Sequence, residues 1–458
     1  MQELKENKMG TMKEGKLLFS MATPMIISML VQAMYNIVDS IFVGMYDPET
    51  NYALAAVNLS FPIQSLMIAL AGGTGVGVNS LLSRFLGEKK NKEASAVAVN
   101  GIFIYAITYA VFAIVGLFGA RTFFSFQSDV PEKLEYGTQY VTIVTVLGFG
   151  LFGQFIAERL LQSTGLTMYN MYTQGLGAII NIIFDPIFIF GLGPIPEMGV
   201  AGAALATVMG QIIAAIVGVY FNIRKNKEIS LSLRGFRPDG RIIGMIYSVG
   251  VPSIIMQSIT SLLTVGINKI VGMSPDPATV TAAQNVFGAY FKLQSFIFMP
   301  VFGLTNAMIP IIAYNYGAQK KSRIINVYKI SVVSAMAYMG FGMLTFLIIP
   351  ELLLSIFSLT GEAVTIGVPA LRIMGTAFFF AGFSIITTST FQALGNGVYS
   401  MIISLCRQIV VILPCSFILF KLFGLDVMWA SFPIAEGVSV IMCILFAIRL
   451  YNKKLKDL

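Results

Sequence analysis

The stretch "SMATPMIISMLVQAMYNIVDSIFVG" (residues 20–44) has a counterpart in the other half of the chain, "SVGVPSIIMQSITSLLTVGINKIVG" (residues 248–272). The register sets Pro24 on Pro252 and Gly44 on Gly272. Each copy is apolar over the length that a helix needs to cross a bilayer, about 20 residues. The correspondence continues outward from these two segments. "GEKK" (87–90) matches "GAQKK" (317–321), and "LLQSTG" (160–165) matches "TFQALG" (390–395), at an offset of 228 to 230 residues. The chain is therefore a duplication of one membrane-embedded unit.

Composition agrees with that reading. Of 458 residues, 56% are hydrophobic and 11% charged, far below the roughly one quarter charged that soluble domains carry. Twelve hydrophobic segments are predicted, at 17–45, 54–82, 94–120, 138–161, 168–191, 199–223, 242–271, 280–311, 325–350, 364–391, 398–420 and 427–450. Six fall in each repeat, an even number, so both halves enter from the same side. The expectation is an all-α polytopic protein with twelve transmembrane helices. They form two six-helix lobes related by a pseudo-two-fold axis along the membrane normal. The lobes are expected at residues 1–225 and 242–458, joined by a polar cytoplasmic linker at 226–241.

Charge fixes the expected orientation. With the N-terminus inside, the inner connections and tails hold 21 lysines and arginines, whereas the outer connections hold Arg121, Lys133 and Lys421. Positive residues collect on the cytoplasmic side, so both termini are expected in the cytoplasm, and the net charge of +8 needs no nucleic acid. The first apolar run is too long for a signal-peptide core and is expected to be retained. Cys406, Cys415 and Cys443 all lie in apolar runs and suggest packing rather than a disulfide framework. The absence of histidine rules out imidazole ligands and any Ser/His/Asp set. "GGTGVGVNS" (72–80) sits inside a helix and lacks a Lys-Ser/Thr ending, so its small residues point to close helix packing, not phosphate binding. No enzyme activity is expected.

The chemistry concentrates in the first lobe. Gln32, Tyr35, Asn36 and Asp39 are spaced to share one face of the first helix, and Asn181 and Asp185 share one face of the fifth. Asp39 lies about five residues, roughly 8 Å, from the outer end of its helix. Asp185, Tyr140 and Thr207 fall in the outer half of theirs. Two carboxylates without bases cannot comfortably both stay ionised at low dielectric, so one holds a proton or the pair takes up a cation. Intramembrane acids are functional by default; the alternative is a structural hydrogen-bond cluster. In the second lobe Ile267 stands opposite Asp39 and Cys415 opposite Asp185, so the pair is absent there. Lys292, Arg407 and Glu436 are expected to form a buried charge network, and Glu158 and Arg159 to snorkel or pair locally. Pro24 removes one backbone hydrogen bond from the first helix and favours a kink there.

The pattern of Pro24, Gln32, Asn36, Asp39 and Phe42-Val43-Gly44 resembles that of the multidrug and toxic compound extrusion (MATE) family. So do "LLQSTG", "NIIFDPIFIFG" (181–191) and "GVAGAALATVMGQ" (199–211). The resemblance covers essentially the whole chain and points to the bacterial multidrug branch. It implies a secondary antiporter in the bacterial cytoplasmic membrane, acting as a monomer without cofactors. Such a protein exports amphipathic, often cationic small molecules in exchange for H+ or Na+. It also implies an ion site at Asp39, Asn181 and Asp185, with Tyr140, Thr207, Asn36 and Tyr35 beside it. By the same analogy the substrate cleft would use Gln32, Met34, Phe61 and Met67 from one lobe. From the other it would use Met256, Gln257, Phe287, Tyr290 and Phe291, since thioethers and aromatic faces suit flat cations. A lipid-linked saccharide flippase of the same superfamily is the alternative; twelve helices and few interior bases argue against it. An intramembrane aspartyl protease is disfavoured by the lack of a Gly-x-Gly-Asp motif.

Overall fold

The computed structural model describes residues 6–50, 52–191 and 193–458. Among the described residues ten helices are long and apolar enough to cross a membrane, and counting each of two bent helix pairs as one span brings the number to twelve. In the first repeat the spans are Glu14–Tyr46, Tyr52–Gly87, Asn91–Ser125, the pair Pro131–Val146 and Phe149–Ser163, Thr167–Phe190, and Gly199–Lys225. In the second they are Gly240–Val271, Pro277–Gly317, Lys321–Ile348, the pair Glu362–Gly375 and Ala377–Ala393, Gly397–Phe423, and Leu425–Leu455. They are called the first to twelfth spans below.

Local chemistry sets several ends. Asp239 caps the seventh span by accepting from the backbone N–H groups of Arg241 and Ile242, and Asp276 caps the eighth through Thr279 N–H, with Pro277 at the first helical position. Gly191 closes the fifth span in the left-handed region, at φ 69°. The first span runs unbroken through Pro24, and Ser28 Oγ donates to the Pro24 carbonyl at 2.9 Å.

The fourth and tenth spans are each bent by 43°. The breaks fall at Leu147-Gly148 and at Thr376, corresponding places in the two repeats. The bends are thus part of the duplicated unit.

The two lobes meet through the first and second spans on one side and the seventh and eighth on the other. Backbones come closest in the halves of these helices nearest the termini. A Cβ at Gly77 would overlap the Ile246 carbonyl, and one at Gly87 the Tyr314 carbonyl. The glycines of the 72–80 segment therefore let whole helices touch, as small residues do in membrane interfaces. Ser80 Oγ, 3.0 Å from the Gln392 and Ala393 carbonyls, crosses the same seam.

The N-terminal segment straps this end. Asn7 Nδ2 donates to Glu228 at 2.6 Å and to the Thr164 carbonyl at 3.1 Å, both in the first half of the chain. From the second half, Asn315 Nδ2 reaches the Met9 carbonyl at 2.9 Å, and Arg323 bonds the Met9 and Met12 carbonyls and Glu14. Burial raises the Glu228 carboxyl above its usual range and lowers the Lys8 ammonium.

Replacing Arg323 by Ala is expected to cost this closed seam about 1.5 kcal/mol, or roughly tenfold in the population of the opened form. Spin labels at Lys92 and Ser322 read the change as added long distances. An unaltered distribution would show that the strap does not hold the lobes.

The core of the second lobe is aromatic. Trp429 and Phe287 stack at 6.2 Å between ring centroids, Tyr290 lies 5.7 Å from Phe432, and Phe346 4.8 Å from Phe378.

Candidate functional site

A cavity of about 350 Å³ opens inside the first lobe. The first span contributes Gln32, Tyr35, Asn36 and Asp39 to its wall, the face that their spacing predicts. The second adds Asn58, Phe61, Gln64 and Met67. Tyr140 and Gln154 come from the fourth, Gln174 and Asn181 from the fifth, and Thr207 and Gln211 from the sixth. No residue of the second lobe lines it.

Asn181 is the hub. Its Nδ2 donates to Asp185 Oδ1 at 3.1 Å and to Thr207 Oγ1 at 3.3 Å. This follows from helix geometry: residues 181 and 185 are one turn apart, and the fifth span packs along the sixth. Asp185 is fully buried and Asn181 nearly so. Asp39 is partly buried and lines the cavity, whereas Asp185 lies behind the wall and reaches it through Asn181. Neither carboxylate pairs with a lysine or arginine among the described residues.

The unsatisfied atoms are all acceptors. Asp39 Oδ1, Asp185 Oδ2 and Asn181 Oδ1 are shielded from solvent and have no hydrogen-bond partner among the described residues. A buried acceptor without a donor costs about 1–3 kcal/mol, and more if charged. A proton, or a small cation held by hard oxygens, relieves that cost. With Tyr35, Asn36, Tyr140 and Thr207 in the same wall, the groups present fit either ion.

Of the residues expected at a substrate cleft, Gln32, Phe61 and Met67 line this cavity, and Met34, Met256, Gln257, Phe287, Tyr290 and Phe291 do not. Met34 is 61% exposed, because a 3.6-residue repeat turns it almost opposite the face of Gln32 and Asn36. Phe287 and Tyr290 sit in the aromatic core of the second lobe, at 2% and 1% exposure, and offer no face to this cavity. Gln257 lies at the lobe seam against Gly72, and Met256 Sδ is 3.5 Å from Gln392 Nε2, within its own lobe. Phe291 is half-buried and outside the cavity wall.

The expected charge network is smaller than three residues. Arg407 Nη1 pairs with Glu436 at 3.2 Å. Lys292 is exposed and directs its ammonium over Phe357, 5.9 Å from the ring centroid. The azimuth of Lys292 on the eighth span turns it to Phe357, away from the Arg407–Glu436 pair. Arg407 stands in a π-helical segment, Cys406–Ile412, a local widening that often accompanies functional sites.

Glu158 is not a snorkelling residue. It is 5% exposed and bonded by Gln154, Thr173 and Gln174. Its i, i+4 relation to Gln154 is the sequence signal that could have located it. A further signal is the spacing of seven residues between Gln174 and Asn181 on the fifth span.

Comparison with known proteins agrees with this architecture. The family pattern described as MatE matches residues 24–187 and again 252–418, once in each repeat. The multidrug export protein MepA of Staphylococcus haemolyticus (strain JCSC1435) is 26% identical over 443 residues, covering 96% of this chain and 95% of that protein. A multidrug resistance MATE family transporter of the MOP superfamily, solved in an outward-facing conformation, superposes with a TM-score of 0.88 at 26% identity over the full length of both chains. A MOP superfamily transporter from Pyrococcus furiosus, described as having a binding pocket of reverse polarity, gives 0.90 at 25% identity, again over both full lengths. With its two six-helix lobes and a family match in each repeat, the chain belongs to the MatE family.

Proposed function

We propose that this chain is a secondary active antiporter that exports amphipathic, often cationic compounds across the cytoplasmic membrane in exchange for protons or sodium ions. The observation that carries the reading is a pair of acids with no base beside them: Asp39 in the cavity wall, and Asp185 buried behind it and joined to the wall through Asn181. The relatives named for multidrug export and multidrug resistance support the substrate class. The basic residues gathered on the side of both termini support a cytoplasmic placement of that side.

The cavity explains coupling in electrostatic terms. While wet, the cavity tolerates a negative charge at Asp39, whereas a second charge on the fully buried Asp185 is already costly. Closing the cavity strips water from Asp39 as well, which is expensive unless a cation arrives first. A proton or sodium ion at Asp39, Asn181 and Asp185 removes that penalty and allows the lobes to change their mutual tilt. A bound organic cation competes for the same negative field, so ion entry favours its release. In this account residues 1–225 and 242–458 rock as units about the 226–241 linker, and the ion travels inward as the compound leaves.

Purified protein in sealed vesicles tests this with ethidium as the probe and an imposed proton or sodium gradient. Ethidium movement is expected to follow one of the two gradients and to stop when that gradient is collapsed. Equal movement with neither gradient present would overturn antiport.

A further inference from the structure

A third acid of the first lobe lies nearer the termini. Glu158, in the second half of the fourth span, is buried, and both its oxygens are held by neutral donors. Oε1 accepts from Gln154 Nε2 at 2.9 Å and from Thr173 Oγ1 at 3.3 Å, and Oε2 accepts from Gln174 Nε2 at 3.0 Å. Its sequence neighbour Arg159 turns away. That guanidinium donates to Gln162 at 2.7 Å and to Asn306 of the other lobe at 3.2 Å. Besides Arg159, whose charge still acts on Glu158, the titratable groups near enough to act on it are Tyr105 and Tyr35. Gln154 and Gln174 also line the cavity, so two amides stand between the cavity and this acid.

The fifth span links Glu158 to the outer pair. Asp185, Asn181, Gln174 and Asn170 follow at spacings of four, seven and four residues, one face of a helix. Their reach is about 22 Å along the axis, most of a bilayer's apolar thickness. Each of the four carries a shielded oxygen with no partner among the described residues: Asp185 Oδ2, Asn181 Oδ1, Gln174 Oε1 and Asn170 Oδ1. Asn170 itself is fully buried, in the first turn of the span. A column of acceptors without donors, ending beside a carboxylate, is built for a mobile proton.

We propose that Glu158 is an inner proton station of the first lobe, taking the coupling proton from Asp39 and Asp185 and passing it toward the side of the termini. The assignment rests on the reading of those two acids as the coupling site. The proton leaves a carboxylic O–H at Asp39 or Asp185, which becomes a carboxylate, and binds Glu158 Oε2. It later leaves Oε2 for water on the inner side, and no other bond changes. Gln174 suits both states of Glu158. Its N–H₂ donates to the carboxylate, and after a half-turn of the amide its Oε1 accepts from the carboxylic acid. A sodium ion fits worse, because three donors would have to turn away before the oxygens could reach it.

The test uses the full chain in vesicles, with ethidium as probe and a pH-sensitive dye as the proton reader. Glu158→Gln is expected to keep ethidium affinity within about twofold, and to keep ethidium-evoked proton release, while export driven by a pH gradient falls about tenfold or more and its pH profile shifts. Glu158→Asp is expected to recover part of the rate. Wild-type export and pH profile in Glu158→Gln would overturn the station while leaving the outer site intact. Wild-type behaviour in Asp39→Asn and Asp185→Asn would overturn the coupling site instead. Should Glu158→Gln not fold, Gln174→Leu keeps the acid and removes the turning amide. An unshifted pH profile in Gln174→Leu, or export by wild type that follows only a sodium gradient, also overturns the proposal.

Discussion

Replacing Asp39 by Asn is expected to abolish gradient-driven export, with a loss of about a hundredfold or more, while the protein still folds and still binds ethidium. Asn matches the size of Asp and keeps a hydrogen-bonding end, so the cavity wall survives. What disappears is the charge that makes closure depend on an ion. Asp185→Asn should behave alike, because Asn181 Nδ2 can still donate to the new side-chain oxygen. The pair forms one unit, so the double variant should lose little more than either single one. Equilibrium ethidium binding beside efflux under each gradient separates lost coupling from lost affinity. Efflux at the wild-type rate in both single variants would contradict the account.

The second large effect is on stability. Arg407→Ala leaves Glu436, whose side chain is 6% exposed, without its cation. Its Oε1 already lacks a partner among the described residues. Removing one member of a buried ion pair costs about 3 kcal/mol or more; Arg407, at 25% side-chain exposure, places this case near the low end. The additional change Glu436→Gln should restore most of that loss by removing the stranded charge. The chain has a single tryptophan, Trp429, fully buried against Phe287 in the same lobe. Its fluorescence during thermal unfolding therefore reports directly on that core. A single variant as stable as wild type would show that the pair is structurally idle.

Much of this arrangement is legible in the amino-acid order. The repeat of residues 20–44 at 248–272 reveals two lobes because a duplicated hydrophobic pattern must bury the same face twice. The cavity-lining face of the first span is legible because Gln32, Tyr35, Asn36 and Asp39 fall on one side of any helix. Their meeting with Asn181 and Thr207 is legible from depth, since all lie in the outer half of their spans.

What was not legible depends on azimuth. Phe287 and Tyr290 share a face, but nothing in their spacing says that it looks into the second lobe and not toward the first. Lys292 shares the depth of Glu436 but not its azimuth, and rotation about the helix axis carries its ammonium to Phe357 instead. Glu158 and Arg159 are adjacent and suggest a local pair. Neighbours on a helix point about 100° apart, and here one serves the lobe interior and the other the seam. The bends in the fourth and tenth spans contain no proline. Their signals are the glycine-rich "LGFGLFG" (147–153) and "MGTAFF" (374–379), weaker cues than a missing N–H.

The role of Asp39 and Asp185 in holding the ion that the exported compound displaces is open to direct measurement. It is tested most directly by adding ethidium to the purified full chain in weakly buffered solution. Released protons are read with a pH dye, and released sodium with a radioactive tracer. The account predicts release of one of the two ions by the wild type and none by Asp39→Asn combined with Asp185→Asn. Undiminished release from that double variant would contradict it.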